Sequence, residues 1–285
     1  TYEAEERLAA ARILDQFYST TSEPEELAVV LDVMVSQSED EYDKVALLHR
    51  LYEIRELQLD DAAGAREDLG RALLIEPRNE RTLQEIERLS AITDSWDWLI
   101  GAYDKVIAAT EEGEDKIFFQ LRVARVFEEE KVDLPSATAR MVAVLEIEES
   151  NWAALSGLDK LYEAQELWGE LAGIIAKEIE DVHDMSLIPG FRYRLARMQV
   201  DNLDNPEKAV EAYNELLEDV PDHQEARDGL EELLRQGVLA QRVFEIIDPL
   251  YRQDANWEKV VELTEIELNF VTEIEKRVEL FKAMC

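Results

Sequence analysis

Histidines, cysteines and convergent carboxylates are the groups from which most catalytic and metal sites are built, and this chain holds few in a usable pattern. The three histidines, His49, His183 and His223, lie far apart, and the single cysteine, Cys285, is the last residue. The sequence contains no HExxH, GxxxxGK[ST] or GxGxxG motif, which mark zinc, phosphate and dinucleotide sites. We therefore predict that the chain is not an enzyme and has no catalytic residue, cofactor or metal site.

Acidic residues outnumber basic residues by 66 to 30, which gives a formal net charge of −36. Acidic runs such as 39–41 and 128–130 lack the glycine and the ligand spacing of a calcium loop, so we interpret them as solvated surface. A surface of this sign repels nucleic acid and anionic lipid, so we expect neither as a partner. The excess of acid either serves solubility, including in a salty environment, or favours a basic partner.

The composition favours helix throughout the chain. Of 285 residues, 46% are apolar, while only 10 are glycine and 7 are proline. No alternation typical of strands and no Asn-Gly or Asp-Gly hairpin turn occurs. The best apolar run, 27–31, is far shorter than the ~18 residues of a membrane span, so we expect no membrane insertion and a cytoplasmic location, with the periplasm as the alternative. Because the first residue is Thr1, we expect a piece of a longer protein.

The stretch NPEKAVEAYNELLEDVPD (205–222) contains the signals of one complete helix. Asn205 is a good N-cap, and Pro206 suits the first helical position, where its missing N–H costs nothing. Ala209 and Tyr213 follow on one helix face, and Pro221 closes the segment. These signals predict a helix over about 206–219.

The same signals recur 72 residues earlier and 72 residues before that. Asp133 and Asp61 stand in the position of Asn205. The apolar positions and the preceding helix keep the register too, in the sets Ala65, Ala137 and Ala209, Leu69, Met141 and Tyr213, and Arg50, Arg122 and Arg194. Repetition at this period indicates stacked supersecondary units. The middle unit predicts four helices, roughly at 97–111, 115–130, 134–147 and 151–164.

We therefore predict an all-α solenoid of about 14–16 helices that forms one continuous array. Its units are approximately 25–96, 97–168 and 169–240, and 1–24 and 241–285 are partial units of a longer super-repeat, since 11–30 aligns with 244–263. One helical hairpin cannot bury both of its faces, so neighbouring hairpins must bury them. We expect the leucine and aromatic stripes, including Trp152 and Trp257, to lie in this core.

The stretch YRLARMQVDNLDNPEKAVEAYNELLEDVPD (193–222) resembles a tetratricopeptide repeat (TPR). Leu195 and Ala196 match the leucine–small pair of the first helix (helix A), and Ala209, Tyr213 and Pro221 match the alanine, aromatic and closing proline of the second (helix B). The resemblance extends over nearly the whole chain, with more degenerate alternate hairpins. It implies a right-handed superhelix of stacked helix pairs and a non-enzymatic role as a protein-binding scaffold.

The resemblance also implies that helix A lines a concave groove that binds peptides. The position two residues beyond the helix-A leucine then gives Glu53, Arg88, Arg125, Lys160, Arg197 and Glu232, of which the middle four form a row of cations. The position four residues earlier gives Gln84, Leu121, Ser156 and Tyr193. We expect this row to bind a peptide or protein with acidic or carboxylate groups. Three alternatives stay open: ion pairing of the cations with adjacent helices, a self-associating assembly module, and an RNA-processing scaffold of the related half-repeat type.

Overall fold

A computed structural model describes residues 2–111 and 113–283, and within them the secondary structure is helical, with no strand. It contains sixteen α-helices, which confirms the predicted fold class. None of the described helices is both long and apolar enough to cross a bilayer. The helices are α1 (Tyr2–Thr21), α2 (Pro24–Gln37), α3 (Glu41–Leu57), α4 (Ala62–Ile75), α5 (Glu80–Ile92), α6 (Trp96–Ala109), α7 (Gly113–Arg125), α8 (Leu134–Ile147), α9 (Trp152–Ala164), α10 (Trp168–Asp181), α11 (Ile188–Asp201), α12 (Pro206–Asp219), α13 (Gln224–Arg235), α14 (Ala240–Gln253), α15 (Trp257–Leu268) and α16 (Ile274–Ala283).

The chain divides into two compact units, Thr1–Glu149 (unit 1) and Ser150–Cys285 (unit 2). Within each unit, helices that follow one another in sequence pack against one another. Unit 1 holds α1 to α8, and unit 2 holds α9 to α16. Short connections between such helices produce helical hairpins, as the sequence predicts.

The repeated N-caps are confirmed. Asp61 accepts a hydrogen bond from the backbone N–H of Gly64 at 2.9 Å, and Asp133 accepts one from Ser136 at 3.2 Å. Asn205 accepts the corresponding bond from Lys208 at 3.4 Å. Each cap satisfies a backbone donor that the first turn of a helix leaves unpaired, which stabilises the helix by about 1 kcal/mol. A second series of caps, at the start of helix A, consists of Asn79, Asn151 and His223.

The turns inside the hairpins repeat with the same period. Asp60, Val132 and Asp204, each 72 residues after the last, have φ values of 52°, 52° and 47°. In each of these turns a residue in the left-handed conformation lies after helix A and directly before the N-cap of helix B. Left-handed backbone is costly for residues other than glycine, so its recurrence shows that the packing of the helices imposes it.

The core of each hairpin is built on the repeated small and large positions. Ala65, Ala137 and Ala209 are fully buried, and they leave room for the neighbouring helix to approach closely. Leu69 and Tyr213, one helical turn later, are also buried. Full burial of one such large side chain stabilises the fold by about 1.5–3 kcal/mol.

The prediction that Trp152 and Trp257 are core residues is wrong. The two side chains are 43% and 59% exposed. Both stand at the first position of their helix, and a helical side chain points back toward the N-terminus, past the end of the neighbouring helix. The Trp152 ring makes an edge-to-face contact with Phe191, at 6.4 Å between centroids.

Candidate partner-binding site

The predicted groove residues lie on first helices of hairpins in both units. In unit 1, Gln84 and Arg88 are exposed on α5, and Arg125 is exposed at the end of α7. In unit 2, Lys160 is exposed on α9 and Arg197 on α11, one turn away from the half-buried Ser156 and Tyr193 respectively. Arg125 reaches Glu87 of α5, so the structure brings the predicted residues of α5 and α7 together.

Three of the four predicted cations are ion-paired. Arg88 contacts Glu56 of α3 at 2.6 Å and Glu85 of its own helix at 2.7 Å, and these hydrogen bonds raise the pKa of its guanidinium. Arg125 lies 3.5 Å from Glu87. Arg197 pairs with Asp201 at 2.7 Å. Lys160 is exposed and has no ion-pair partner within the described part of the chain. The alternative of ion pairing therefore holds for the arginines, two of which pair across to another helix.

A ladder of ion pairs that the sequence analysis missed links successive hairpins. Its acids are 72 residues apart on α1, α5, α9 and α13, and each binds a cation on the first helix of the next hairpin. The pairs are Asp15–Arg50, Glu87–Arg122, Asp159–Arg194 and Glu231–Lys259. The spacing of these acids was the available signal, but 66 acidic residues conceal it.

A cleft of about 410 Å³ opens between α5 and α7 beside this ladder. The predicted residue Gln84 lines it. The other lining residues are Arg78, Glu80, Leu83, Glu87, Phe118 and Arg122. The guanidinium groups of Arg78 and Arg122 lie over the Phe118 ring, at 4.0 and 4.6 Å from its centroid. Such cation–π contacts hold planar cations beside an aromatic surface.

Glu87 lies in the wall of this cleft and contacts three neighbouring side chains. It accepts hydrogen bonds from Arg122 and, at 2.8 Å, from the hydroxyl of Tyr103 on α6, in addition to its contact with Arg125. Burial, together with the nearby Glu87, raises the pKa of Tyr103. The cleft thus presents guanidinium N–H donors, an amide and an aromatic face, which suit recognition of a planar or anionic group on an extended chain.

The corresponding region of unit 2 has the ladder pair but a different neighbourhood. Arg194 of α11 donates to Asp159 of α9 at 2.6 Å. Glu178 of α10, which is 2% exposed, lies beside them. The pKa of Glu178 is raised to about 7, mainly by burial and also by Asp159, while Arg194 opposes the shift. Gly190 occupies the position of Phe118, so the aromatic wall of the unit 1 cleft has no counterpart.

The histidines have structural roles or lie at the surface. His49 is buried and its Nε2 lies 2.8 Å from the Thr82 hydroxyl, and burial lowers its pKa. His223 is an N-cap, and His183 is exposed. Across residues 2–111 and 113–283, no three His, Cys, Asp or Glu side chains are grouped so that they could hold a metal ion.

No family model and no curated protein sequence matches the chain. Solved structures that are similar to it include the C-terminal part of a TPR repeat-containing protein from Cytophaga hutchinsonii, with 14% identity, a TM-score of 0.41, and coverage of 96% of this chain and 98% of that chain. Another is a tetratricopeptide repeat protein from Parabacteroides merdae, with 13% identity, a TM-score of 0.32, and coverage of 100% and 99%. Both are named for the repeat that residues 193–222 resemble.

Proposed function

We propose that the chain is a non-enzymatic scaffold that binds a protein or peptide partner along its helix-A surfaces. The observation that carries this proposal is the cleft between α5 and α7, because the predicted groove residue Gln84 lines it beside an aromatic ring and two guanidinium groups. Phe118 supplies apolar surface and Gln84 supplies an amide, and the guanidinium groups of Arg78 and Arg122, which pair with Asp115 and Glu87, supply N–H donors. An extended peptide fits such a combination of apolar contacts and convergent polar groups.

The proposed partner carries carboxylate groups. A partner carboxylate at Arg88 or Arg125 would exchange with Glu56, Glu85 or Glu87. Such an exchange costs little, because exposed ion pairs contribute only ~0–1 kcal/mol each. These ion pairs already hold the guanidinium groups of Arg88 and Arg125 in place. Less side-chain entropy is therefore lost when the partner binds.

In unit 2 the proposed contact residues are Ser156, Lys160, Tyr193 and Arg197, on α9 and α11. Lys160 is the cation with the fewest competing contacts, so it is the strongest candidate there for a partner carboxylate. We propose that the repeats belong to one continuous array with unit boundaries near 96, 168 and 240.

Selection of displayed decapeptides on the wild-type protein tests this function. We expect enrichment of peptides with Asp or Glu next to an apolar residue, with affinities in the micromolar range typical of such weak interfaces. The variant Arg88→Glu/Arg125→Glu should weaken binding of a selected peptide at least about tenfold, since each lost charge-assisted contact contributes about 1.5–3 kcal/mol.

The matched control is Lys105→Glu, which reverses an exposed cation on helix B of the same unit. It should leave the affinity unchanged, and all three proteins should have the same helical circular dichroism. Selection of peptides without acidic residues, or equal affinity for wild type and double variant, would contradict the proposal.

Self-association is the second candidate, and exposed apolar side chains on the terminal helices favour it. On α1, Ile13 and Phe17 are 70% and 57% exposed, and on α16, Ile274 and Val278 are 78% and 45% exposed. Contact between α1 of one copy and α16 of another would bury both sets. Light scattering should then show a mass that rises with concentration and returns to the monomer value in Phe17→Asp; a constant mass argues against this function.

A further inference from the structure

Unit 2 contains a second cleft, of about 730 Å³, where α14 begins and where α15 ends before α16. Its walls include Gln241, Arg242 and Glu245 of α14, Glu267 at the end of α15, Phe270 in the following turn, and Lys276 of α16, and Arg242 pairs with Glu211 at 3.3 Å. None of these residues belongs to the helix-A row or to the ladder. The cleft is therefore separate from the partner-binding site described above.

Glu267 is the unusual member of this set. Its side chain is buried, at 5% exposure, and its Oε2 atom has no hydrogen-bond donor among the described residues. The pKa of Glu267 is raised to about 7, mainly by burial and also by Glu245 and Asp248, while Lys276 opposes the shift. A buried carboxyl oxygen without a donor destabilises the protein, because it has lost its hydration and gained no partner.

The turn after α15 supplies an apolar wall beside this carboxyl group. The Phe270 ring packs against Gly237, where a Cβ atom would lie only 2.4 Å from the ring. Gly237 also has a φ of 74°, which glycine adopts readily. The ring is 42% exposed, so one side of it stays accessible from the cleft.

We propose that this cleft binds a primary ammonium group on an alkyl chain, with Glu267 as the acceptor of its hydrogen bonds. An ammonium ion offers three donors on a compact charge, which suits a single unpaired carboxyl oxygen better than a planar guanidinium does. The alkyl chain lies along Phe270, and Glu245 adds a second negative charge. The cation of Lys276 is engaged by Glu273 at 3.3 Å and by Gln241 at 3.4 Å.

NMR titration of the wild-type protein with Nα-acetyl-lysine N-methylamide tests the proposal. We expect saturable shifts in the backbone amides of 267–276. The matched ligand Nα-acetyl-norleucine N-methylamide, which has an alkyl side chain without an ammonium group, should bind at least about tenfold more weakly. Equal shifts with both ligands, or none up to saturating concentrations of the lysine derivative, would overturn the proposal.

The variant Glu267→Gln keeps the shape of the side chain and removes its charge. It should weaken binding of the lysine derivative about ten- to a hundredfold. Glu265→Gln, on the exposed side of the same helix, is the matched control and should bind as the wild type does. Equal affinity of Glu267→Gln and the control overturns the proposal even if the wild type binds the ligand.

The pH dependence is a readout that does not require a variant. The groups that face Glu267 are Glu245 and Asp248 of α14 and Lys276 of α16. The nearest charged contact between α13 and α15 is that of Arg235 with Glu262 at 3.3 Å, and Glu262 precedes Glu267 by more than one helical turn. Because Glu267 must be ionised to bind the ammonium ion, affinity should fall about tenfold between pH 8 and pH 6. A flat profile contradicts the assignment of Glu267 as the acceptor.

A second titration, with 1,5-diaminopentane, distinguishes two sources of the ammonium group. Tighter binding of the lysine derivative indicates a lysine side chain of a protein partner. Tighter binding of the diamine indicates a free amine. Both results support the ammonium site. They are independent of the helix-A proposal, because Arg88→Glu/Arg125→Glu leaves this cleft untouched.

Discussion

The α5–α7 pair of unit 1 and the α9–α11 pair of unit 2 carry equivalent ion pairs of the ladder, here called rungs: Glu87–Arg122 and Asp159–Arg194. The charged residues around these two rungs differ. In unit 1, one carboxylate, Glu87, faces two guanidinium groups, Arg122 and Arg125. In unit 2, one guanidinium group, Arg194, serves Asp159 at 2.6 Å and Glu163 at 2.9 Å, with the buried Glu178 beside them. Cations therefore outnumber carboxylates around the first rung, and carboxylates outnumber cations around the second.

Two substitutions in helix B accompany this difference, Ile175 in the position of Tyr103 and Glu178 in the position of Val106. Tyr103 of α6 donates its hydroxyl hydrogen to Glu87. The residue 72 positions later is Ile175, which donates nothing, and Glu178 lies one turn further along α10. The repeat thus determines where the helix backbones lie. The polar side chains at each rung then determine whether its carboxylates are fully paired or include a carboxyl group that titrates near neutral pH.

The largest expected effect comes from removing the cation of each rung. Arg194→Met would leave Asp159 and Glu178 without their cation, and we expect the free energy of unfolding at pH 8 to fall by about 2–3 kcal/mol. Arg122→Met should cost only about 1 kcal/mol, because Arg125 and Tyr103 still contact Glu87. Urea unfolding monitored by circular dichroism measures both, and equal losses would show that the rungs do not differ as described.

The pH dependence of stability sharpens the comparison further. Glu178 has a pKa of about 7 in the folded protein and an ordinary value of 4.5 when unfolded. Between these values the folded state binds more protons, so its stability falls as the pH rises. Glu178→Gln removes this loss. From pH 5 to pH 8 the variant should lose about 2 kcal/mol less stability than the wild type does.

The exposed Glu180→Gln, on the same helix, is the control and should follow the wild type. Asp68 and Glu267, whose pKa values burial raises to about 6 and about 7, contribute in the same direction in every one of these proteins. The informative quantity is therefore the difference between variant and wild type. Parallel pH profiles for Glu178→Gln and Glu180→Gln would rule out Glu178 as the titrating group.

Local signals predicted the framework of the fold. Asp61, Asp133 and Asn205 are caps because a short polar side chain reaches a backbone N–H three residues on, an interaction within one turn. The buried alanines follow from the helical period. Trp152 was misplaced because periodicity assigns a face to a residue but does not say where the neighbouring helix ends.

The candidate site was only partly predictable. The helix-A row predicted Gln84, which lines the α5–α7 cleft, but not Phe118. The role of Phe118 depends on two arginines, Arg78 in the turn before α5 and Arg122 on α7. Glu267 carried no signal, since nothing in the sequence distinguishes a buried glutamate from the many exposed ones. Side-chain partners between helices depend on packing distances, which the spacing of residues along one chain does not encode.

The smallest expected effect concerns the turn that ends helix A in each unit. Val132 of unit 1 and Asp204 of unit 2 occupy equivalent left-handed positions, with φ values of 52° and 47°. A β-branched side chain is strained there, whereas Asp and Asn tolerate this conformation because they form local hydrogen bonds. Val132 is also 74% exposed, so its replacement removes little apolar packing. We expect Val132→Asn to stabilise the protein by about 0.5–1 kcal/mol.

The reciprocal change, Asp204→Val, should destabilise the protein by a similar amount, and Asp204→Asn should be nearly neutral. Thermal unfolding followed by circular dichroism can resolve these differences when the three variants are measured beside the wild type. If Val132→Asn lowered the melting temperature while Asp204→Val left it unchanged, the turn conformation would not be the source of strain. The two turns would then differ in their surroundings, as the two rungs do, rather than sharing one backbone constraint.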